Sequence, residues 1–177
     1  MHKPIRKAML ATAALALAAA GCAESHDYAI PKEACGVPID SALLSPLLPP
    51  GKKLTQDKYD AGAGSPRCRL AVDTDRVVYL NGDVISTDTD PIKLDPRGMQ
   101  RMGHPSAVNL GDGAQVADWG AIAFADCTHQ GKKQRFVALV QLEKPVPEKV
   151  SERRDALVSF LRAYLPAAMK AQGCTRP

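Results

Sequence analysis

The side chains best suited to chemistry in this 177-residue chain are five cysteines (Cys22, Cys35, Cys68, Cys127, Cys174) and two histidines, His104 and His129. Cys127-Thr128-His129 sets a thiol two residues from an imidazole. Those two types serve a cysteine nucleophile with its base, or supply two ligands of a zinc ion. Residues this close along a strand point to different faces or into a turn, however, and nucleophile–base pairs generally meet through the fold. No Cys-x-x-Cys spacing accompanies them. The preferred reading is a disulfide cysteine beside a solvated turn histidine. His104, just before Pro105, has the chemistry of a general base, but an exposed loop residue is the simpler account.

Other candidates are weaker. Gly-x-Ser-x-Gly, Ser-x-x-Lys, His-Glu-x-x-His and Gly-x-x-x-x-Gly-Lys are all absent, so no catalytic residue and no cofactor is assigned. Asp73, Asp75, Asp83, Asp88 and Asp90 carry oxygens of the kind calcium takes, yet the Asp-x-[Asp/Asn]-x-[Asp/Asn]-Gly loop is missing. They read as turn-forming, solvated acids, and no metal is assigned. Lys132, Lys133 and Arg135 form a small basic tip that suits anionic lipid or cell-wall polymer, against the commoner reading of a solvated hairpin end. Trp119, the only tryptophan, sits in the turn Asp118-Trp119-Gly120. Exposed, it would anchor a partner; folded over the core edge, it would be structural. Trp119, Lys132, Lys133 and Arg135 are carried forward as binding candidates.

The elements that must position these residues follow from periodicity. Leu43, Leu44 and Leu47 recur at helical spacing after Asp40, a suitable N-cap, with Ile39 placed to staple onto Leu44. Pro49-Pro50-Gly51 stops that short helix. Lys52 to Arg67 is polar and glycine-rich and reads as a surface loop. Strands are expected at Cys68–Val72 and Val77–Leu80, joined by a turn at 73–76. Asn81-Gly82 suits a type I′ hairpin turn, with a bulge in one longer strand as the competitor. Thr87 to Gly113 reads as an irregular excursion with a helical turn near Gly98 to Met102. Strands resume at Ala114–Ala117, Ala121–Cys127 and Gln134–Leu142, with the last two joined by a turn at 129–132. Pro147 suits the first position of a helix running to about Gln172, with Pro166 kinking or breaking it. Its apolar stripe is Val150, Leu157, Val158, Leu161, Leu165 and Met169, leaving Glu152, Arg153, Arg154 and Arg162 elsewhere.

This order implies α+β. The expected architecture is an antiparallel sheet of about four to six strands, with a short N-terminal and a long C-terminal helix packed on one face. Four body cysteines allow three pairings. Topology favours Cys35–Cys68, pinning the N-terminal segment to the sheet, and Cys127–Cys174, clamping the last helix.

The N-terminus bears on compartment. Lys3, Arg6 and Lys7 precede the apolar stretch Ala8–Ala20, the layout of a secretory signal and too short to span a bilayer. Its end, Ala19-Ala20-Gly21-Cys22, resembles the lipobox of bacterial lipoproteins, although Ala19 stands where that family usually has Leu, Val or Ile. The resemblance implies a diacylglycerol on the Cys22 thiol, cleavage before it, and residence on the outer face of the cell membrane. The competing reading is ordinary cleavage after Ala18-Ala19-Ala20. Cysteine parity favours lipid, since an ordinary Cys22 would leave one of five thiols unpaired in an oxidising compartment. The expected organisation is a signal at 1–21, lipidated Cys22 with a polar tether to residue 34, and one domain at 35–177. Loss of Lys3, Arg6 and Lys7 lowers the 23 basic residues to 20, against 19 acidic, so net charge falls from +4 to about +1. That balance gives no case for nucleic-acid binding.

Ala34-Cys35-Gly36-Val37-Pro38, Leu43-Leu44, Leu47-Leu48-Pro49, Arg67-Cys68-Arg69-Leu70 and Leu110-Gly111-Asp112-Gly113-Ala114, together with the lipobox and terminal helix, resemble a group of small actinobacterial secreted lipoproteins. That resemblance implies a disulfide-linked α+β surface protein and supplies no catalytic residues. The expected function is a non-catalytic binding or interaction module of the cell envelope. Its partners would be membrane lipid through acylated Cys22, and an envelope protein, polymer or small ligand. An anchored hydrolase using His104 or His129 is the alternative.

Overall fold

A computed structural model describes residues 26–61 and 65–176. The expected signal, the lipobox and Cys22 lie outside the described residues. Alternation builds the sheet. In β4 (Pro66–Val72) Cys68, Leu70 and Val72 are buried; in β5 (Asp75–Ile85) Val78, Leu80 and Gly82 are. In β9 (Lys132–Leu142) the same face holds Phe136, Ala138, Val140 and Leu142. Register joins these side chains into rows, with Leu80 opposite Cys68 on one side and Val140 on the other. With β3 (Leu54–Asp60), β6 (Ser106–Ala107), β7 (Gly113–Val116) and β8 (Gly120–His129), they form one seven-stranded sheet in the order β3-β4-β5-β9-β8-β7-β6. Every neighbouring pair is antiparallel. A separate two-stranded ribbon pairs β1 (Glu33–Ala34) with β2 (Val37–Pro38).

The C-terminal helix α4 (Val150–Ala171) covers one face of the sheet, contacting chiefly β8 and β9. Its buried stripe is Leu157, Phe160, Leu161, Tyr164, Leu165, Ala168 and Met169, a three-and-four spacing. Beside it sits α1 (Ser41–Leu44), whose N-cap Asp40 accepts from the Ala42 N–H at 2.8 Å, followed by one 3-10 turn at Ser45–Leu47. Two disulfides tie the layers together, Cys35–Cys68 and Cys127–Cys174, with Cα separations of 5.8 and 5.5 Å. The α+β class and both expected pairings are therefore present.

Several local expectations change. The main sheet has seven strands rather than four to six. The polar stretch after Lys52 contains β3, an edge strand with Thr55, Gln56, Asp57 and Lys58 exposed, so no apolar face marks it. Asn81-Gly82 forms neither hairpin turn nor bulge: β5 runs straight through, and the register shift falls at Leu70/Ala71 instead. Gly82 is there for packing, because a Cβ would lie 2.9 Å from Cζ of the fully buried Phe136. The excursion after Thr87 holds two short helices, α2 (Pro91–Leu94) and α3 (Pro96–Arg101), capped by Asp90 and Asp95. They lie on the face opposite α4, where Met99 and Met102 pack with Ala117, Trp119, Ile122 and Leu139. Helices therefore flank both faces.

The last helix starts at Val150, not Pro147, and continues through Pro166. Pro166 is solvent-exposed, so water can reach the carbonyl that loses its donor. Val150 is 43% exposed and leaves the expected stripe, whereas Arg153, expected on the outer side, is only 3% exposed. The segment expected as tether is held to the body from His26 onward. The His26 ring Nε2 lies 3.0 Å from the Leu48 carbonyl, Asp27 N–H donates to Gly51, and the Tyr28 hydroxyl donates to the Pro49 carbonyl at 2.6 Å.

Candidate functional site

The side chains pointing away from α4 on β3, β4 and β5 build the most distinctive surface. Strand parity puts Asp57 and Tyr59 on β3 beside Arg67 and Arg69 on β4, then Tyr79, Asn81 and Asp83 on β5, with Gln141 next on β9. Because α2 and α3 cover the opposite half through Met99 and Met102, no described helix covers this half. The Arg69 guanidinium lies 4.0 Å from the Tyr59 ring centroid and donates to the Tyr59 hydroxyl at 2.8 Å. Arg67 is paired with Asp83 at 3.0 Å. Burial, and then the Tyr59 hydroxyl, hold the Tyr79 phenol above its ordinary value, while the Arg67 guanidinium pulls it down. Tyr59, Arg69, Arg76, Tyr79, Gln141 and Glu143 line a depression of about 240 Å³. Asn81 Oδ1 is buried without a hydrogen-bond partner. The face offers aromatic rings and guanidinium groups fixed by their partners, residue types suited to gripping a partner.

A second cluster lies at the turn before β8. His104 Nδ1 is 2.7 Å from Asp118 Oδ2, and Arg154 binds the other carboxylate oxygen at 2.9 Å. The hydrogen bond from His104, then that from Arg154, holds the Asp118 carboxyl below its usual value, with partial burial opposing. His104 adopts φ 38° and its side chain is 91% exposed. Ser106 Oγ is engaged by Arg154 Nη2 at 2.6 Å. The arrangement holds an imidazole by a carboxylate, as a general base requires, without a described nucleophile bonded to it.

A third feature is a cavity of about 80 Å³ beneath the Cys35–Cys68 bridge, with Val37, Leu80, Phe136, Tyr164 and Ala168 in its walls. Burial alone raises the Tyr164 phenol to about 12. The space suits a few waters rather than a ligand of ordinary size.

The remaining sequence candidates are dispersed. His129, half-buried with Nδ1 unpartnered, ends β8, whereas Asp118 and His104 lie at the other end of that strand. Nine residues of strand, about 30 Å, separate them. Trp119 is half-buried between the two apolar clusters, with the Arg153 guanidinium 5.1 Å from its ring. Lys132 and Lys133 are exposed at the β8–β9 hairpin. Arg135 turns away, bonded to Asp126 at 2.7 Å and the Thr89 carbonyl at 2.9 Å, over the Phe124 ring. The five acids separate as well: Asp73 accepts from Lys52 and Lys53 N–H, Asp75 pairs with Lys144, Asp83 with Arg67, Asp88 is exposed in the turn after β5, and Asp90 caps α2. Among the described residues no group of three or more His, Cys, Asp or Glu could hold a metal.

Tyr59, Arg69 and Tyr79 were not anticipated as a site. A signal existed in the alternation Arg67-x-Arg69 and Tyr79-x-Asn81-x-Asp83, which marks a polar sheet face, but Tyr59 could not be placed without β3. No family model, no curated protein and no solved structure matches this chain.

Proposed function

We propose that the chain is a lipid-anchored extracytoplasmic protein that works by binding, in keeping with the actinobacterial surface lipoproteins its sequence resembles. One observation carries this reading. Cys35, Cys68, Cys127 and Cys174 are consumed in two disulfides, so Cys22 alone has no cysteine partner within the chain. Paired body cysteines suit an oxidising compartment, and the leftover cysteine stands at the end of a signal-like segment, where acylation needs it. Two acyl chains give stable membrane residence.

The recognition surface is the uncovered face around Tyr59, Arg69 and Tyr79, whose residue types dominate binding hot spots. The partner is an envelope protein, polymer or small ligand, with no role for nucleic acid. Fractionation of cells carrying Cys22→Ser tests the anchor: the variant should pass to the soluble fraction, and unchanged membrane retention would refute it. A photo-crosslinker in place of Tyr59 should capture an envelope component, and Arg69→Ala should reduce that capture. The alternative, an anchored hydrolase, draws on the His104–Asp118 pair. It requires turnover that His104→Ala abolishes.

A further inference from the structure

The distance from Cys22 to the folded body is set by covalent geometry. Only Ala23, Glu24 and Ser25 separate Cys22 from His26. Four peptide links reach at most about 14 Å. From His26 the chain is stapled down by the bonds of His26, Asp27 and Tyr28 to Leu48, Gly51 and Pro49. Ser41 Oγ adds a bond to the Pro31 carbonyl at 2.8 Å, and Tyr28 and Ile30 pack against the core. An anchor at Cys22 therefore leaves the body little freedom to rise from the membrane or to turn over.

The registers define which end that is. Leu54, Val72, Asp75, Leu142 and Gly120 lie together at one end of the sheet, and Gly51 to Lys53 join them through the Asp73 carboxylate. The β8–β9 hairpin lies at the other. We propose that acylated Cys22 seats the Gly51–Lys53 and Asp73–Asp75 end of the sheet on the phospholipid headgroups, with Lys52 and Lys53 against lipid phosphate. This rests on the acylation proposed above.

Charge at that end is mixed, so the short tether sets the seat, and Lys52 and Lys53 supply its contacts to phosphate. Lys52 and Lys53 are exposed, and neither ammonium has an ion pair among the described residues. Lys144 and Lys149 beside them are held by Asp75 and Glu152. Asp73 accepts backbone N–H groups but keeps its charge, so Asp27, Asp73, Glu143 and Glu148 are the opposing acids. An open groove of about 890 Å³ runs between Pro49–Pro50 and Pro145–Pro147 at the same end. Lys132 and Lys133 stand ten residues of β9 away, about 33 Å outward, and so face the wall side rather than lipid.

The test uses the full acylated chain in vesicles of phosphatidylglycerol and phosphatidylethanolamine, with benzoylphenylalanine in place of Lys53, Thr74 or Lys132. All three positions are exposed, so the core is untouched. Mass spectrometry first establishes whether Cys22 carries lipid. On acylated protein, lipid crosslinks at 53 and 74 should exceed those at 132 several-fold, and a long Gly-Ser insertion after Ser25 should abolish the difference. Equal labelling at all three positions, or an excess at 132, on acylated protein overturns the orientation alone. An unmodified Cys22 overturns the anchor and, with it, the orientation.

Discussion

Replacing Arg153 by methionine should cost this protein about 3 kcal/mol of stability. Arg153 lies in the first turn of α4, where the helix dipole disfavours a cation. Among the described residues no carboxylate pairs with it. Its guanidinium instead donates to three carbonyls: Nε to Asp118 at 2.6 Å, and Nη1 to Pro147 at 2.6 Å and Glu148 at 3.0 Å. Bonds involving a charged partner contribute about 1.5–3 kcal/mol each, so three give roughly 4.5–9 kcal/mol. Desolvating the buried ion takes back several kcal/mol. Methionine fills part of the volume but leaves the carbonyls unmet, which makes about 3 kcal/mol the net expectation. At about 2–4 °C per kcal/mol for a chain of this size, Tm should fall by roughly 6–12 °C. Urea unfolding followed through Trp119, the only tryptophan and in contact with Arg153, reads the change directly. Arg153→Lys should recover little, because an ammonium cannot reproduce the planar fork. Arg97→Met, at an exposed position, should stay within about 0.5 kcal/mol of the parent. If Arg153→Met also stays within about 0.5 kcal/mol, burial cost and hydrogen bonds cancel, and Arg153 contributes nothing net to holding α4.

Cys174→Ala opens a loop with a sequence separation of 47, which the chain-entropy account values at about 4 kcal/mol; a loss under about 1 kcal/mol in denaturant titration would contradict that account here. Tyr28 and Tyr164 are both raised to about 12, Tyr28 by burial and then by Asp73, Tyr164 by burial. Their contribution to stability is therefore complete below the ordinary value of about 10 and is lost as pH climbs towards 12. Tyr28→Phe with Tyr164→Phe should flatten that alkaline decline, and an unchanged decline would count against both assignments. Asp118 is depressed by His104 and then Arg154, so its contribution is present above the ordinary carboxylate value of about 3.9 and lost as pH falls through its lower folded value. The stability gap between parent and Asp118→Asn should then close in acid, and a pH-independent gap would exclude the effect.

What could be read from the chain follows from which residues advertise their surroundings. β5 and β9 show themselves because Val78, Leu80, Phe136, Val140 and Leu142 bury one face, and the caps Asp40 and Gly173 mark helix ends through specific backbone needs. The Gln130-Gly131 turn is equally legible, since both residues take positive φ, at 50° and 74°. β3 was hidden because its exposed positions bury almost nothing. Arg153 was hidden because hydropathy assigns every arginine to the outside, while its three carbonyl partners come from residues 118, 147 and 148, which only the fold brings together. Asn81-Gly82 misled for a related reason: local turn chemistry competes with a tertiary demand, and the ring of Phe136 needs the space above Gly82. The candidate face suffered doubly, depending on an unrecognised strand and on a parity visible only once register is known.

The two disulfides make physical sense once the layer beneath α4 is considered. The sheet positions facing that helix include Ala121, Ala123, Ala125 and Ala138, all fully buried. Alanines admit the stacked rings of Phe160 and Tyr164, whose centroids are 5.4 Å apart, but each buries far less apolar area than a leucine would. Over β8, hydrophobic adhesion is therefore carried mainly by the helix, while Phe136 and Val140 of β9 supply the larger side chains beside it. The helix is fastened at both ends by other means, through Arg153 at its start and Cys174 just past its finish. Cys35–Cys68 does the same for the β1–β2 ribbon, which carries the strap leading back to Cys22. Oxidised cysteines thus add to the alignment of the layers, a state favoured in oxidising compartments.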